Sequence, residues 1–195
     1  MLTSAQIERE YMDIISKCKN IFKVKDMEYG ATWAIYRWSS LTDQLWMKIK
    51  RIRTIEESGS KIPEPIAVEY IALINYAIIF LFRLKNTALI EPPEKIIENT
   101  ELLNKCTNEK IMELYELTVK EAYELYQAKN HDYNNAWQDM SSGSITDLII
   151  IKVLRMKNII KQKNNNIQSL DVDQQLFDII NYSIFALIKM QYSNN

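Results

Sequence analysis

An all-α fold, built twice, is what this sequence predicts, and three observations carry the prediction. Only three Gly and four Pro occur in 195 residues, whereas hairpin-rich β architecture draws on both for its turns. Apolar residues recur at helical spacing over long stretches. An odd phrase also occurs twice: "KDMEYGATW" at 25–33 and "KNHDYNNAW" at 129–137 share Lys, an acid, Tyr and Trp in the same order with the same gaps.

Walking both copies forward extends the match. An offset of 104 maps Lys25 to Lys129, Tyr29 to Tyr133, Trp33 to Trp137, Ser40 to Ser144, Asp43 to Asp147, Lys48 to Lys152 and Arg51 to Arg155. Further on, "ALINYAIIFLFRL" pairs with "DIINYSIFALIKM" at an offset of 106. The chain therefore reads as a tandem duplication, 5–85 and 108–190, joined by a linker at 86–107. A duplicated helical unit often mimics a homodimer, so the halves are expected to share one core around a pseudo-twofold axis.

Each unit predicts three main helices, six in all. The first carries Ile7, Tyr11, Ile14, Cys18 and Ile21 at helical spacing in one copy, and Ile111, Tyr115, Val119, Ala122 and Tyr126 in the other. The motif loop follows; Trp33, Trp137, Tyr29 and Tyr133 are expected to anchor it with largely buried rings. Ser40 and Ser144 read as N-caps of the second helix, each with an Asp three residues later, a capping-box variant. That helix places Leu41, Leu45, Ile49 and Ile52, or Ile145, Ile149, Val153 and Met156, on one face. The third helix, near 65–84 and 173–190, is apolar almost all round and should be central. Pro92 and Pro93 are expected to break any helix in the linker.

Composition narrows the function classes. A net charge of −1 offers no global field for nucleic acid or anionic lipid. The basic run "KIKRIR" is a weak reading helix, because its partner "KVLRMK" is less basic and both belong to an amphipathic core helix. The longest apolar run, "YIALINYAIIFLF", is shorter than the ~20 residues a membrane span needs. Cys18 and Cys106 lack metal-ligand spacing and read as reduced thiols. No charged-then-apolar leader opens the chain, which argues for a cytoplasmic protein. There is no phosphate-binding Gly loop, CxxC, HExxH or GxSxG. His131, the one histidine, faces Met27 in the other copy, so no mechanism can need His in both.

The informative residues are polar ones on apolar helices, which cost free energy unless paired. These are Glu69 and Asn75 in the first copy, Asp178 and Asn181 in the second. Glu69 aligns with Gln175 and Asp178 with Ala72. An ancestral Glu-x-x-Asp pair, of which each copy lost a different half, explains both; ordinary surface acids are the competing reading. Lys48 and Lys152 sit at the edge of an apolar face with Arg51 and Arg155 one turn on. Snorkelling explains a lone Lys, but recurrence of the Lys–Arg pair suits a phosphorylated ligand. Asp43 and Asp147 suit backbone capping. Glu28 and Asp132 precede the motif Tyr and suit either function or an Asx-type turn.

The set K-x-x-[DE]-Y-x-x-x-W, S-x-T-D-x4-K-x2-R and I-N-Y resembles the nucleotide modification associated domain family, type one, in its tandem two-copy branch, over about 5–84 and 108–190. Single-copy members have a Lys-Asn-x-Asp-Tyr-Gly motif. Lys129, Asn130, Asp132 and Tyr133 match it, with Asn134 for the Gly; the first copy has Lys25, Glu28, Tyr29 and Gly30, with Asp26 for the Asn. The resemblance implies a nucleotide or other phosphorylated small molecule as partner. A looser similarity joins the chain to MazG-type all-α nucleoside triphosphate pyrophosphatases, whose Glu-x-x-Glu and Glu-x-x-Asp pairs hold magnesium. Glu121 and Glu124 form such a pair, but Lys17 and Asn20 replace them in the other copy.

Three functions compete. In a magnesium-dependent pyrophosphohydrolase-like enzyme, Glu28, Asp43, Glu69, Asp132, Asp147 and Asp178 would hold the metal. Lys48, Arg51, Lys152, Arg155, Tyr29 and Tyr133 would hold phosphates, with Asn75 and Asn181 orienting carboxylates. A nucleotide-binding module without chemistry would use the same pockets, one per half. A purely structural helical protein, monomer or homodimer, needs neither. Three or more converging carboxylate oxygens would favour the enzyme.

Overall fold

The computed structural model describes residues 1–86, 90–105, 108–162 and 170–192. Cys106 lies outside them. Among the described residues there is no strand. The α-helices are α1 (Ser4–Tyr29), α2 (Trp38–Ser58), α3 (Ala67–Lys85), α4 (Pro93–Glu98), α5 (Asn108–Tyr133), α6 (Ser142–Gln162) and α7 (Leu170–Tyr192). Short 3-10 turns at Thr32–Ile35 and Ala136–Asp139 carry the two motif tryptophans.

Local chemistry sets the boundaries. Thr3 and Gln6 form a capping box at the start of α1, satisfying two orphan backbone donors. Gly30 ends α1 at φ 64°, a left-handed backbone that only Gly adopts cheaply. In the second copy Asn134 and Asn135 take φ 46° and 57° instead, and Asn tolerates that region better than most residues. The expected serine caps are displaced. Ser40 lies inside α2, which starts at Trp38 without a side-chain cap. Ser144 lies inside α6, and Ser141 Oγ accepts its backbone N–H at 3.1 Å. The prolines do not exclude a linker helix either: Pro93 opens α4, because its missing N–H is no loss at the first helical position.

The helical stripes land where the spacing puts them. Leu41, Leu45, Ile49 and Ile52 are fully buried, as are Ile145, Ile149, Val153 and Met156. In α1, however, Ile21 is exposed and Phe22 takes the core position. α3 and α7 pack along each other at the centre; α2 lies on α3, α6 lies on α7, and α2 meets α6. α1 and α5 each touch both central helices.

Two sets of polar contacts between the halves obey a twofold exchange. Tyr11 donates to Asn181 Oδ1 at 2.8 Å, and Tyr115 donates to Asn75 Oδ1 at 2.8 Å. Each Asn then donates to its own half, Asn75 to the Cys18 carbonyl and Asn181 to that of Ala122. At the surface Asp43 pairs with Lys157 at 2.8 Å, and Asp147 with Arg53. Every partner in one bond maps onto the corresponding partner in the other. Burial pushes the phenols of Tyr11 and Tyr115 far up and the Cys18 thiol to about 12, so these groups stay protonated.

Candidate functional site

Two buried acids organise the polar interior. Glu69, in the first turn of α3, is 2 % exposed. Arg51 binds its Oε1 and Lys48 Nζ lies 3.2 Å from its Oε2. Asp178, mid-way along α7, is 8 % exposed. Lys152 reaches its Oδ2 at 2.7 Å and Lys129 its Oδ1 at 2.5 Å. The lysines from α2 and α6 are repeat equivalents, yet the acids they bind are one helical turn apart in repeat register. A flexible lysine stem spans that turn. The second cation cannot, so it differs: Arg51 serves the Glu69 level, and the motif lysine serves the Asp178 level. Where the acid is missing, the cation faces water. Lys25 and Arg155 are exposed and make no ion pair with the described residues. Gln175, standing where Glu69 stands, leaves its Oε1 buried without a partner.

A cavity of about 350 Å³ opens beside Asp178, between the motif turn, α6 and α7. Lys129, Asn130, Tyr133, Trp137, Tyr182 and Phe185 are among its walls. Trp137 stacks flat on Phe185, centroids 4.4 Å apart. Its indole N–H is buried and has no partner. The first copy treats the same indole differently: Trp33 Nε1 donates to Asp26 Oδ1 at 3.2 Å. Asp26 is itself buried, and burial holds its carboxyl above the usual range despite that bond. Its counterpart Asn130 has turned its oxygen to the backbone N–H of Asn135 at 2.9 Å, bracing the left-handed turn. The departure from the motif at position 26 therefore has a structural meaning: it gives the first copy's tryptophan N–H an acceptor.

The model of one family, nucleotide modification associated domain 1, matches this chain twice, over residues 23–84 and 129–190. The chain belongs to that family. No curated protein and no solved structure matches it, so the looser MazG likeness rests on the sequence motifs alone. Each domain 1 copy runs from the last turns of α1 or α5 to the end of α3 or α7, and so contains Lys48, Arg51 and Glu69, or Lys129, Lys152 and Asp178. Tyr11 and Tyr115, which bond across the halves, fall outside the matched segments.

Within the domain 1 copies, the expected site residues gather only in part. Lys48, Arg51 and Glu69 converge; so do Lys152 and Asp178. Arg155 stays outside, for want of an acid at position 175. Glu28 is exposed at the end of α1, and Asp132 is exposed and pairs with His131 at 3.2 Å. Asp43 and Asp147 reach the opposite half, not a pocket. Asn75 and Asn181 bond tyrosines and carbonyls and orient no carboxylate. Tyr29 and Tyr133, expected to be buried, are 66 % and 69 % exposed, because as the last residues of their helices they stand at the rim of the bundle. Their tryptophan partners are buried as expected. Among the described residues no group of three His, Cys, Asp or Glu gathers as a metal would require, and Glu69 and Asp178 are each already held by two cations. The arrangement does not fit magnesium. Lys129 is the residue the site reading missed, although its recurrence as Lys25 opened the repeat.

Proposed function

We propose that this protein is a nucleotide-binding module, and that its second domain 1 copy carries the binding pocket. The observation that supports this most directly is the cavity beside Asp178. It combines an aromatic wall and a half-exposed motif lysine in about 350 Å³, the low end of small-molecule sites. A base would lie against the aromatic rings. Lys129, tied to Asp178 but open to solvent, would meet a phosphate as a point charge. The pyrophosphohydrolase reading needs converging carboxylate oxygens, which the described residues do not gather. Binding without hydrolysis is therefore the reading adopted.

The test is a thermal-shift and calorimetric screen of nucleoside mono-, di- and triphosphates, with and without magnesium. A ligand at about a hundred times its Kd should stabilise by about 2.7 kcal/mol, which is several degrees for a chain of this size. Lys129→Met should abolish the ligand-induced shift and Lys25→Met should leave it intact. A wild-type protein indifferent to every nucleotide, or equal effects of the two variants, sinks the proposal. Release of pyrophosphate would restore the enzyme reading.

A further inference from the structure

A second cavity, of about 500 Å³, lies between the first half and the linker. Tyr36, Arg37 and Trp38 meet Arg83 there, and the opposite wall comes from the linker through Pro92, Pro93 and Glu94. It shares no lining residue with the nucleotide pocket.

Arg83, near the end of α3, is 4 % exposed. Its Nη1 donates to the Tyr36 carbonyl at 2.5 Å, and its guanidinium lies 4.7 Å from the centre of the Trp38 ring. No carboxylate among the described residues pairs with it. A guanidinium has five N–H donors in a planar fork. One carbonyl and one ring face leave most of that fork unused. A buried charge without a counter-charge is costly, and here burial alone brings the group down to about 10.

The duplication supplies an internal control. The second half has Lys189 in this place, and Lys189 donates to the carbonyl of Gln138 in the motif turn at 2.7 Å, two residues before the counterpart of Tyr36. Bracing that turn thus requires only a lysine. The first half has an arginine instead, adds the Trp38 ring where the second has Ser142, and adds Arg37 where the second has Ser141. These three differences fall on one cavity, and all three exceed the bracing role. Of the two linker acids on its wall, Glu91 lies 3.5 Å from Lys95, which offsets its charge.

We propose that this cavity binds a small oxyanion of the phosphate class, with Arg83 as the bidentate ligand, Arg37 as the second cation and Trp38 as the flanking ring. The full-length chain is titrated with inorganic phosphate while tryptophan fluorescence and the melting temperature are followed; acetate serves as the carboxylate arm. The expected result is a saturable change that Trp38→Phe removes from the fluorescence but not from the melt. Arg83→Lys keeps the brace, as Lys189 shows, and should fold while weakening phosphate by about tenfold or more, since the fork is lost. Arg37→Gln, at an exposed position, should weaken it less. Lys129→Met should leave the response unchanged, which separates this site from the nucleotide pocket. A response absent in the wild type, or identical in wild type and Arg83→Lys, overturns the proposal. Equal saturation by acetate overturns the phosphate assignment.

Discussion

The two halves start from the same plan and keep opposite parts of it. In the first, the acid stands at the Glu69 level, Arg51 holds it, and Asp26 occupies the tryptophan N–H. In the second, the acid stands one turn on at Asp178, the motif lysine holds it, and the tryptophan N–H is unoccupied beside a cavity. One lysine, Lys48 or Lys152, serves both arrangements because its stem reaches either turn. The difference shows two ways of holding a buried carboxylate in this fold: Glu69 takes both its cations from α2, whereas Asp178 takes one from α5 and one from α6, and only the α2 or α6 lysine is common to the two. It also shows that Asp26, in the place of Asn130, gives the first copy's tryptophan N–H the partner that the second copy's lacks.

The contacts that make the halves comparable are also those whose loss should cost most. Asn75→Leu and Asn181→Leu each orphan a buried phenol and a helix carbonyl, and should each lose about 3 kcal/mol in urea unfolding. A double-mutant cycle should find Tyr11→Phe coupled to Asn181→Leu and not to Asn75→Leu. Coupling within a half instead of between halves would break the twofold relation.

Removing the shared lysine tests the split directly. Lys48→Met and Lys152→Met keep the stem and delete the charge. Each leaves its acid one remaining cation, so the loss should be about 1–2 kcal/mol, below that of a fully orphaned buried charge. Their neighbours should not behave alike: Arg51→Met should lower the melting temperature, while Arg155→Met should leave it unchanged. Equal effects of the two arginine variants would show that the halves have not divided the acids as described.

Smaller effects sharpen the picture. Asp43→Asn removes one surface pair between α2 and α6 and should cost about 0.5 kcal/mol, with the difference fading in high salt. Asp26→Asn makes the first copy imitate the second. Because the folded-state pKa of Asp26 is raised, its favourable contribution is complete below the unfolded carboxylate pKa and is lost as pH rises through the folded value. The variant should therefore melt slightly higher than wild type at neutral pH, and the advantage should vanish in acid. An advantage that grows in acid would contradict the assignment.

Much of this was legible beforehand. The duplication, the three-helix unit and the buried faces of α2 and α6 follow from spacing, since a helical stripe reports its own burial. Glu69 and Asp178 stood out because they interrupt otherwise apolar helices. Spacing does not report which other helix a polar residue meets. Asp43 and Asp147 fit a cap as well as a partner across the axis. Asn75 and Asn181 looked like supports for nearby acids because their tyrosines lie far away in sequence. Tyr29 and Tyr133 recur with a buried tryptophan, yet recurrence does not distinguish core from rim. Arg83 was hidden at the end of an apolar helix, where a cation is the usual complement to the dipole.

The linker gives the crossed Tyr–Asn bonds a consequence of their own. Two separate chains carrying these surfaces would meet at their bulk concentration and part on dilution, whereas a short tether presents one to the other at a local concentration on the order of millimolar. Like could not exchange for unlike, and every molecule would hold one of each half. Under that constraint neither half must be self-sufficient. A residue may be discarded on one side as long as the other retains it, and Ala72 and Gln175 are the two discards.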